Sequence, residues 1–218
     1  MTPIDIVITY DFICPWCWIG HQSLKAGLGQ AGMADRARFS YRPYELNPDM
    51  PIPSVDRKEY RSRKFGSWAR SQALDAEVAA AGKRVGLAFN YDRVQITPNT
   101  RLAHRLMRYA QDQQDAARAD RLFDAVMQAY FAQGQDIGSI EVLVDIAAWQ
   151  GYDAARVRAY LSGTAGEAEV VAQELQAQLD GVHSVPSFVI GRHRVSGGQP
   201  PEYFTRVLQA EAANAGSV

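Results

Sequence analysis

The only two cysteines of the chain, Cys14 and Cys17, stand at C-x-x-C spacing within the stretch YDFICPWCWIG. Two cysteines at this spacing can close a disulfide across one helical turn, or can supply part of a zinc site. Pro15 and Trp16 stand between them, add no charge to the pair and are predicted to contact the substrate. The spacing therefore favours redox chemistry, with metal binding as the alternative.

A metal site in this region would be short of ligands. The chain has no second cysteine pair, and a structural zinc ion normally takes four ligands. Cys14, Cys17 and His21 could lie on one face of a helix, so a three-ligand site stays open as the minor alternative. Covalent haem attachment would need a histidine directly after Cys17, where Trp18 stands. We therefore expect no bound metal.

The elements around the cysteines are those that would present a reactive thiol. An alternating apolar run from Ile4 to Tyr10 predicts a strand, and the pattern turns helical after Cys14, with Pro15 suited to the first turn. The free N–H groups and positive dipole end of such a helix stabilise an anion, so the Cys14 thiol should ionise more easily than a free cysteine. Cys14 is the predicted attacking residue, and Cys17 the predicted resolving residue.

The middle of the chain is dominated by helical patterns. The segment 38–46 alternates and predicts a second strand, and the proline-rich and basic segment 48–64 predicts a surface loop whose charges are solvated. Four amphipathic faces then follow between residues 66 and 150, which is too long for a simple connection between sheet elements.

The last part of the chain returns to alternating elements. Two helices are predicted, one capped by Asp153 and ending near Leu161, and one starting at the capping box of Thr164 and ending near Leu179. Two short strands, 182–190 and 192–196, form a predicted hairpin, and a closing helix covers 202–212.

Without the helical middle, the order is strand, helix, strand, helix, strand, strand, helix. This order predicts an α/β fold with a thioredoxin-like core, βαβ-αββα, and a large all-helical insertion. Residues 1–50 and 163–218 would form the thioredoxin-like domain, and residues 51–162 the helical insertion subdomain.

Val185 and Pro186 form a second candidate element of the site. A proline at the start of a strand has lost a ladder donor, and its preceding peptide bond can be cis. Under the plainer interpretation, Pro186 only blunts an edge strand. Under the functional one, the Val185 backbone faces the cysteines and offers hydrogen bonds to an extended substrate peptide.

The composition excludes some classes of partner and indicates a cellular compartment. A formal net charge of -1 argues against nucleic acid, and no apolar run approaches the roughly 20 residues of a membrane span. The given chain enters a strand without a basic and apolar leader, and a lone C-x-x-C leaves no structural disulfide framework. We expect a cytoplasmic protein whose partners are disulfide-bearing proteins or small thiols. Exposed apolar residues on the insertion leave a homodimer open.

An ordered set of motifs carries a resemblance to a known family. The segments YDFICPWCWIG (10–20), RPYELNP (42–48), PNTRLAHRL (98–106), HSVPSFVI (183–190) and VSGGQPPEYF (195–204) together resemble the DsbA family of thioredoxin-like proteins, and most closely its cytoplasmic, FrnE-like group. The resemblance implies a protein disulfide oxidoreductase with catalytic Cys14 and Cys17 and a cis peptide at Val185-Pro186. Periplasmic DsbA has Pro-His where this chain has Pro15-Trp16, which argues against a strongly oxidising periplasmic role.

The chain also resembles glutathione-using relatives through Asn99, Thr100 and His104. These relatives are the 2-hydroxychromene-2-carboxylate isomerases and the kappa-class glutathione transferases. They generally carry serine where Cys14 stands and lack the second cysteine, so a glutathione-dependent isomerase or transferase is the alternative function. No bound cofactor is expected, and glutathione is the candidate co-substrate. Asn99 and His104 would line a cleft between core and insertion, unless Asn99 is a helix cap and His104 a hydrogen-bonded structural residue.

Overall fold

A four-stranded mixed sheet, with the N-terminal strand in its interior, forms the centre of the fold. The computed structural model describes residues 3–215. The strands are β1 (Ile4–Tyr10), β2 (Ala37–Pro43), β3 (Val55–Asp56), β4 (Ile96–Thr97), β5 (Ser187–Ile190) and β6 (His193–Ser196). The sheet order is β2-β1-β5-β6, in which β1 runs parallel to β2 and antiparallel to β5. Ile6 and Ile8 of β1 are fully buried, because strands and helices cover this interior strand.

Helices surround this sheet and fill the middle of the chain. Within residues 3–215 they are α1 (Pro15–Gln30), α2 (Arg57–Phe65), α3 (Trp68–Arg84), α4 (Arg101–Asp112), α5 (Ala116–Phe131), α6 (Ile140–Trp149), α7 (Ala154–Ser162), α8 (Glu167–Leu179) and α9 (Pro201–Ala215). Asp56, Ser67, Asp115 and Asp153 each accept a hydrogen bond from the backbone N–H three residues later, at the starts of α2, α3, α5 and α7. Such caps satisfy donors that a helix start leaves free.

The predicted order of elements is confirmed. β1, α1 and β2 form the βαβ unit, α8, β5, β6 and α9 complete the core, and the remaining helices lie between β2 and α8 in sequence. The middle segment is not wholly helical, since β3 and β4 pair with each other, with Val55 opposite Thr97. Strands of two residues leave no periodic signal in a sequence. The division into two domains at residues 50 and 163 stays a prediction.

The basic segment predicted as a loop is structured in its second half. Asp56 caps α2, and the helix turns Arg57 inward to 3% exposure, where it pairs with Asp75. Its guanidinium carbon lies 4.9 Å from the ring centroid of Tyr91. The prediction of a solvated charge run was therefore wrong for Arg57, because an ion pair and an aromatic ring replace the apolar face that helix prediction relies on.

The start of α8 also differs from the prediction. The helix begins at Glu167, after Gly166 in a left-handed conformation with φ of 77°, and not at the capping box of Thr164. The Tyr160 hydroxyl occupies the space that a Cβ at position 166 would need. The buried guanidinium of Arg105 donates to four backbone carbonyls of this connection, at positions 160, 161, 163 and 165. Arg105 of α4 thus holds the backbone just before α8, and the local sequence gives no sign of this contact.

The site-bearing helix α1 packs closely on the last helix. A Cβ added at Gly27 would lie 2.8 Å from Phe204 Cβ and 2.9 Å from the Pro201 carbonyl oxygen, so α1 and α9 approach each other almost backbone to backbone at this point. Of the helices in residues 3–215, none is both long and apolar enough to cross a membrane.

Candidate active site

The two cysteines meet where β1 passes into α1. Cys14 is the N-cap of the helix, Cys17 lies in its first turn, and the two residues approach each other to 3.4 Å as free thiols. The Cys14 N–H donates to the Asp11 carbonyl at 3.1 Å, and the Cys17 N–H donates to the Cys14 carbonyl at 3.0 Å. These bonds form the tight turn that the proline at the helix start permits. The pair is close enough to form a disulfide after a small movement.

The surroundings of the two sulfurs differ. Cys14 retains 6% of its exposure, whereas Cys17 has none. Burial, and after it a hydrogen bond with Cys14, raises the pKa of the Cys17 thiol well above its usual range. Cys17 is therefore a protonated, shielded thiol at neutral pH. Only Cys14 has an edge that a partner can reach.

Val185 and Pro186 lie directly against the first cysteine. Their peptide bond is cis, and the Cys14 thiol donates to the Val185 carbonyl oxygen with a sulfur–oxygen distance of 3.6 Å. Pro186 is buried and leads into β5, while Val185 remains partly exposed. Within residues 3–215, no acceptor is bonded to the Val185 N–H. The backbone beside the reactive sulfur thus keeps a donor free.

The two residues between the cysteines form part of the outer surface. Trp16 is 40% exposed, and Pro15 is partly exposed. A Cβ at Gly198 would lie 3.2 Å from the Trp16 carbonyl oxygen and 3.3 Å from its ring, so the Gly197-Gly198 loop packs directly on Trp16. An exposed indole therefore lies beside Cys14.

Asn99 and His104 are not brought to the sulfurs as a pair. The Asn99 side chain accepts from the Arg101 N–H at 2.9 Å and donates to the Met50 carbonyl at 2.9 Å, which is an Asx turn one residue before Thr100, the N-cap of α4. His104 is 1% exposed, and its Nε2 lies 3.2 Å from Asp11 Oδ1. His104 therefore contacts the turn before Cys14 but faces no open cleft.

Asp11 is the site residue that sequence reasoning missed. Its side chain is fully buried, contacts His104, and accepts from the Leu46 N–H at 2.7 Å. Its negative charge is a further, smaller cause of the raised pKa of Cys17. The available signal was an acidic residue directly after a buried strand and three positions before Cys14.

The zinc alternative at Cys14, Cys17 and His21 has no support in the geometry. In the part of the chain that the structure describes, the one group of potential ligands within 4.8 Å of one another is His21, Asp120 and Asp124. The Lys25 ammonium already lies 2.8 Å from Asp120 and 3.1 Å from Asp124. Because a lysine supplies the cation there, this cluster is an ion-pair network.

A C-x-x-C thiol pair at a helix N-terminus, facing a cis-proline at the start of a strand, defines a thioredoxin-fold protein with a redox-type site. A family model described as DSBA-like thioredoxin domain matches residues 5–209. The chain belongs to this family. The narrower FrnE-like assignment stays a prediction.

Solved structures of similar proteins agree with this family. The structure of a probable DsbA oxidoreductase from Streptomyces coelicolor is 31% identical, has a TM-score of 0.87, and the match covers 96% of this chain and 90% of that one. A 2-hydroxychromene-2-carboxylate isomerase is 17% identical with a TM-score of 0.68, covering 97% and 94%. The cytosolic disulfide reductase DsbM from Pseudomonas aeruginosa, solved with GSH, is 17% identical with a TM-score of 0.65, covering 96% and 99%. The last two likenesses concern the fold alone.

Proposed function

We propose that this protein is a thiol–disulfide oxidoreductase in which Cys14 attacks and Cys17 resolves. The observation that carries the proposal is the 3.4 Å approach of two free thiols at the start of α1, of which only Cys14 keeps any exposure. Membership of the DSBA-like family supports the same chemistry.

The reaction proceeds in two exchanges. The Cys14 thiolate attacks one sulfur of a substrate disulfide, forms a mixed disulfide and releases the other substrate sulfur as a thiolate, which takes up a proton. Cys17 then loses its proton and attacks the Cys14 sulfur, which releases the second substrate thiol and leaves a Cys14–Cys17 disulfide. Two electrons pass from the dithiol to the substrate. The reverse sequence oxidises a substrate dithiol.

The surface around Cys14 suits an extended peptide. The free Val185 N–H can donate to a substrate carbonyl, and the exposed Trp16 ring offers apolar contact. We propose disulfide-bearing proteins and small thiols as substrates, the cytoplasm as the compartment, and glutathione as the co-substrate that returns the pair to its starting state. A homodimer remains part of the proposal, testable by light scattering.

The test is turnover by purified variants. Wild-type protein should catalyse reduction of a disulfide-bonded test protein with glutathione as electron donor, and Cys14→Ser should lose at least ~1,000-fold, because no other thiol is reachable. Cys14→Ser with wild-type turnover would refute the proposal. Trp16→Ala, which keeps both thiols, should lose only part of the activity.

A glutathione-dependent isomerase or transferase is the second candidate. Its support is the fold-level likeness to 2-hydroxychromene-2-carboxylate isomerase. Such chemistry uses one activated group, whereas disulfide exchange needs a resolving thiol. Cys17→Ser separates the two, since glutathione-dependent turnover of an aromatic substrate by that variant would favour the second candidate.

A further inference from the structure

A small cavity lies beside the cysteine turn, between that turn and α2. Its walls include Ile13 and Pro15, the two neighbours of Cys14, and its volume is about 50 Å³. On the far side it is lined by Arg57 and Arg61 of α2, by the ring of Tyr91 and by Asn47. A space of this size admits a small polar group but not a ring. None of these polar residues takes part in the chemistry at the cysteines.

The cavity wall carries an excess positive charge. Arg57 Nη2 bonds both oxygens of Asp75, at 2.9 and 2.8 Å, and Arg61 Nη2 bonds Asp75 Oδ1 at 2.8 Å. Two guanidinium groups therefore share one carboxylate, although their side chains are only 3% and 19% exposed. Burial, and after it the charge of Arg57, lowers the pKa of Arg61. Buried charges are normally matched one to one, so this wall lacks one negative charge.

Three buried polar atoms in the same wall have no partner within residues 3–215. They are Arg57 Nη1, the Tyr91 hydroxyl and Asn47 Nδ2. Arg57 is the most enclosed of the three residues, at 3% exposure. The Asn47 Oδ1 accepts from the Tyr60 hydroxyl at 2.6 Å, which leaves its amide nitrogen as the unused group. An unsatisfied buried donor is destabilising, so three in one cavity indicate that an acceptor belongs there.

We propose that this cavity binds a carboxylate of the substrate, next to the sulfur that Cys14 attacks. A carboxylate matches the planar guanidinium fork, supplies the missing negative charge, and offers acceptor sites to the three unused donors. Lys64 is an exposed lining residue of the cavity whose Nζ donates to the Tyr60 hydroxyl at 3.1 Å. It makes no ion pair with an acidic residue in the described chain, so its charge adds attraction for an anion. The carboxylate comes either from a peptide side chain beside the substrate cysteine or from a small thiol such as glutathione.

The inference rests on the proposed function, but its test measures binding and requires no reaction. The first pair of probes is S-methylglutathione and its dimethyl ester. The second is a blocked peptide with S-methylcysteine next to Glu, and the same peptide with Gln. Calorimetry with wild-type protein should give at least ~10-fold tighter binding for the carboxylate form in one pair, and that pair identifies the source.

Two α2 variants make the test specific. Arg61→Gln leaves the Arg57–Asp75 pair intact and should reduce the preference for the carboxylate probe over the neutral one to about twofold or less. Lys58→Gln removes an equal charge from an exposed position outside the cavity wall and should keep the wild-type preference. Tyr91→Phe keeps the ring, removes one unused hydroxyl, and should weaken carboxylate binding about threefold.

Equal affinity for the carboxylate and the neutral probe in both pairs would overturn the carboxylate site. An equal loss of the preference for the carboxylate probe in Arg61→Gln and Lys58→Gln would overturn it as well. Turnover of a neutral disulfide, measured in parallel, tests the proposed function separately. Turnover of the neutral disulfide without a preference for the carboxylate form would contradict only the carboxylate site. A preference for the carboxylate form without turnover would contradict only the oxidoreductase function. Circular dichroism of each variant confirms that it is folded.

Discussion

At the scale of single residues, the two cysteines are chemically identical but lie in different surroundings. Their order along α1 predicts which one is outer and which one is deeper. Sequence reasoning could not give the degree of enclosure, because the buried cluster that includes Cys17 is formed by elements that are far apart along the chain. The same limitation hid Asp11, whose partners are His104 and the backbone of Leu46.

The difference between the sulfurs predicts selective alkylation. In reduced protein at neutral pH, iodoacetamide should alkylate Cys17 at least ~100-fold more slowly than Cys14, because Cys17 is fully buried and its pKa is raised. Peptide mass spectrometry after timed quenching measures both rates. In urea the two rates should become similar. Equal rates in the folded protein would contradict the assigned roles.

At the scale of elements, the close contact between α1 and α9 positions the helix that carries Cys17. Gly27 and Gly29 are two positions apart on this helix, but only Gly27 faces another backbone. The sequence predicts the helix and its buried stripe, yet it gives no sign of which glycine is a contact point, since that depends on where α9 crosses. Similarly, the buried arginines Arg57 and Arg105 carry no apolar signal. The first belongs to α2, where a loop was predicted, and the second contacts the connection before α8, whose start was predicted too early.

Alanine at the two glycines should have opposite effects. Gly27→Ala should lower the free energy of unfolding by about 1–3 kcal/mol, because the new Cβ meets Phe204 and the Pro201 carbonyl. Gly29→Ala is the matched control, since nothing lies within 4 Å of its Cβ, and it should raise stability by about 0.5–1 kcal/mol. Urea denaturation gives both values. A stabilised Gly27→Ala protein would mean that the helices do not cross as described.

At the scale of the whole molecule, a partly buried ion-pair network joins the core to the helical segment. His21 and Lys25 of α1 contact Asp120 and Asp124 of α5, and His21 itself is fully buried. The predicted amphipathic faces placed both helices correctly in sequence. They could not pair α1 with α5, because three of the four residues that do so, Lys25, Asp120 and Asp124, are charged, and a hydrophobic pattern assigns charged residues to solvent.

This network predicts a pH dependence of stability. Burial disfavours the charged form of His21, but the contacts with Asp120 and Asp124 outweigh it and raise its pKa. The folded state then binds the proton more tightly than the unfolded state, so the contribution is fully present below about pH 6.5 and is lost as the pH rises through the raised pKa. Replacing His21 by Asn should cost about 2 kcal/mol at pH 6 and progressively less at higher pH.

Urea denaturation across pH 6 to 9 measures this difference. His183→Asn, at an exposed histidine, is the control and should leave the wild-type curve unchanged. A His21→Asn difference that stays constant or grows with pH would show that His21 is neutral in the folded protein.

The most direct test of the central assignment is trapping of the mixed disulfide. After reaction with a disulfide-bonded peptide, Cys17→Ser should accumulate a covalent adduct at Cys14, since no second thiol can release it. Peptide mapping by mass spectrometry locates the bond. Cys14→Ser should give no adduct, and wild-type protein should give only the Cys14–Cys17 disulfide. An adduct on Cys17 in the Cys14→Ser protein, formed as fast as the adduct on Cys14, would contradict the roles assigned to the two sulfurs.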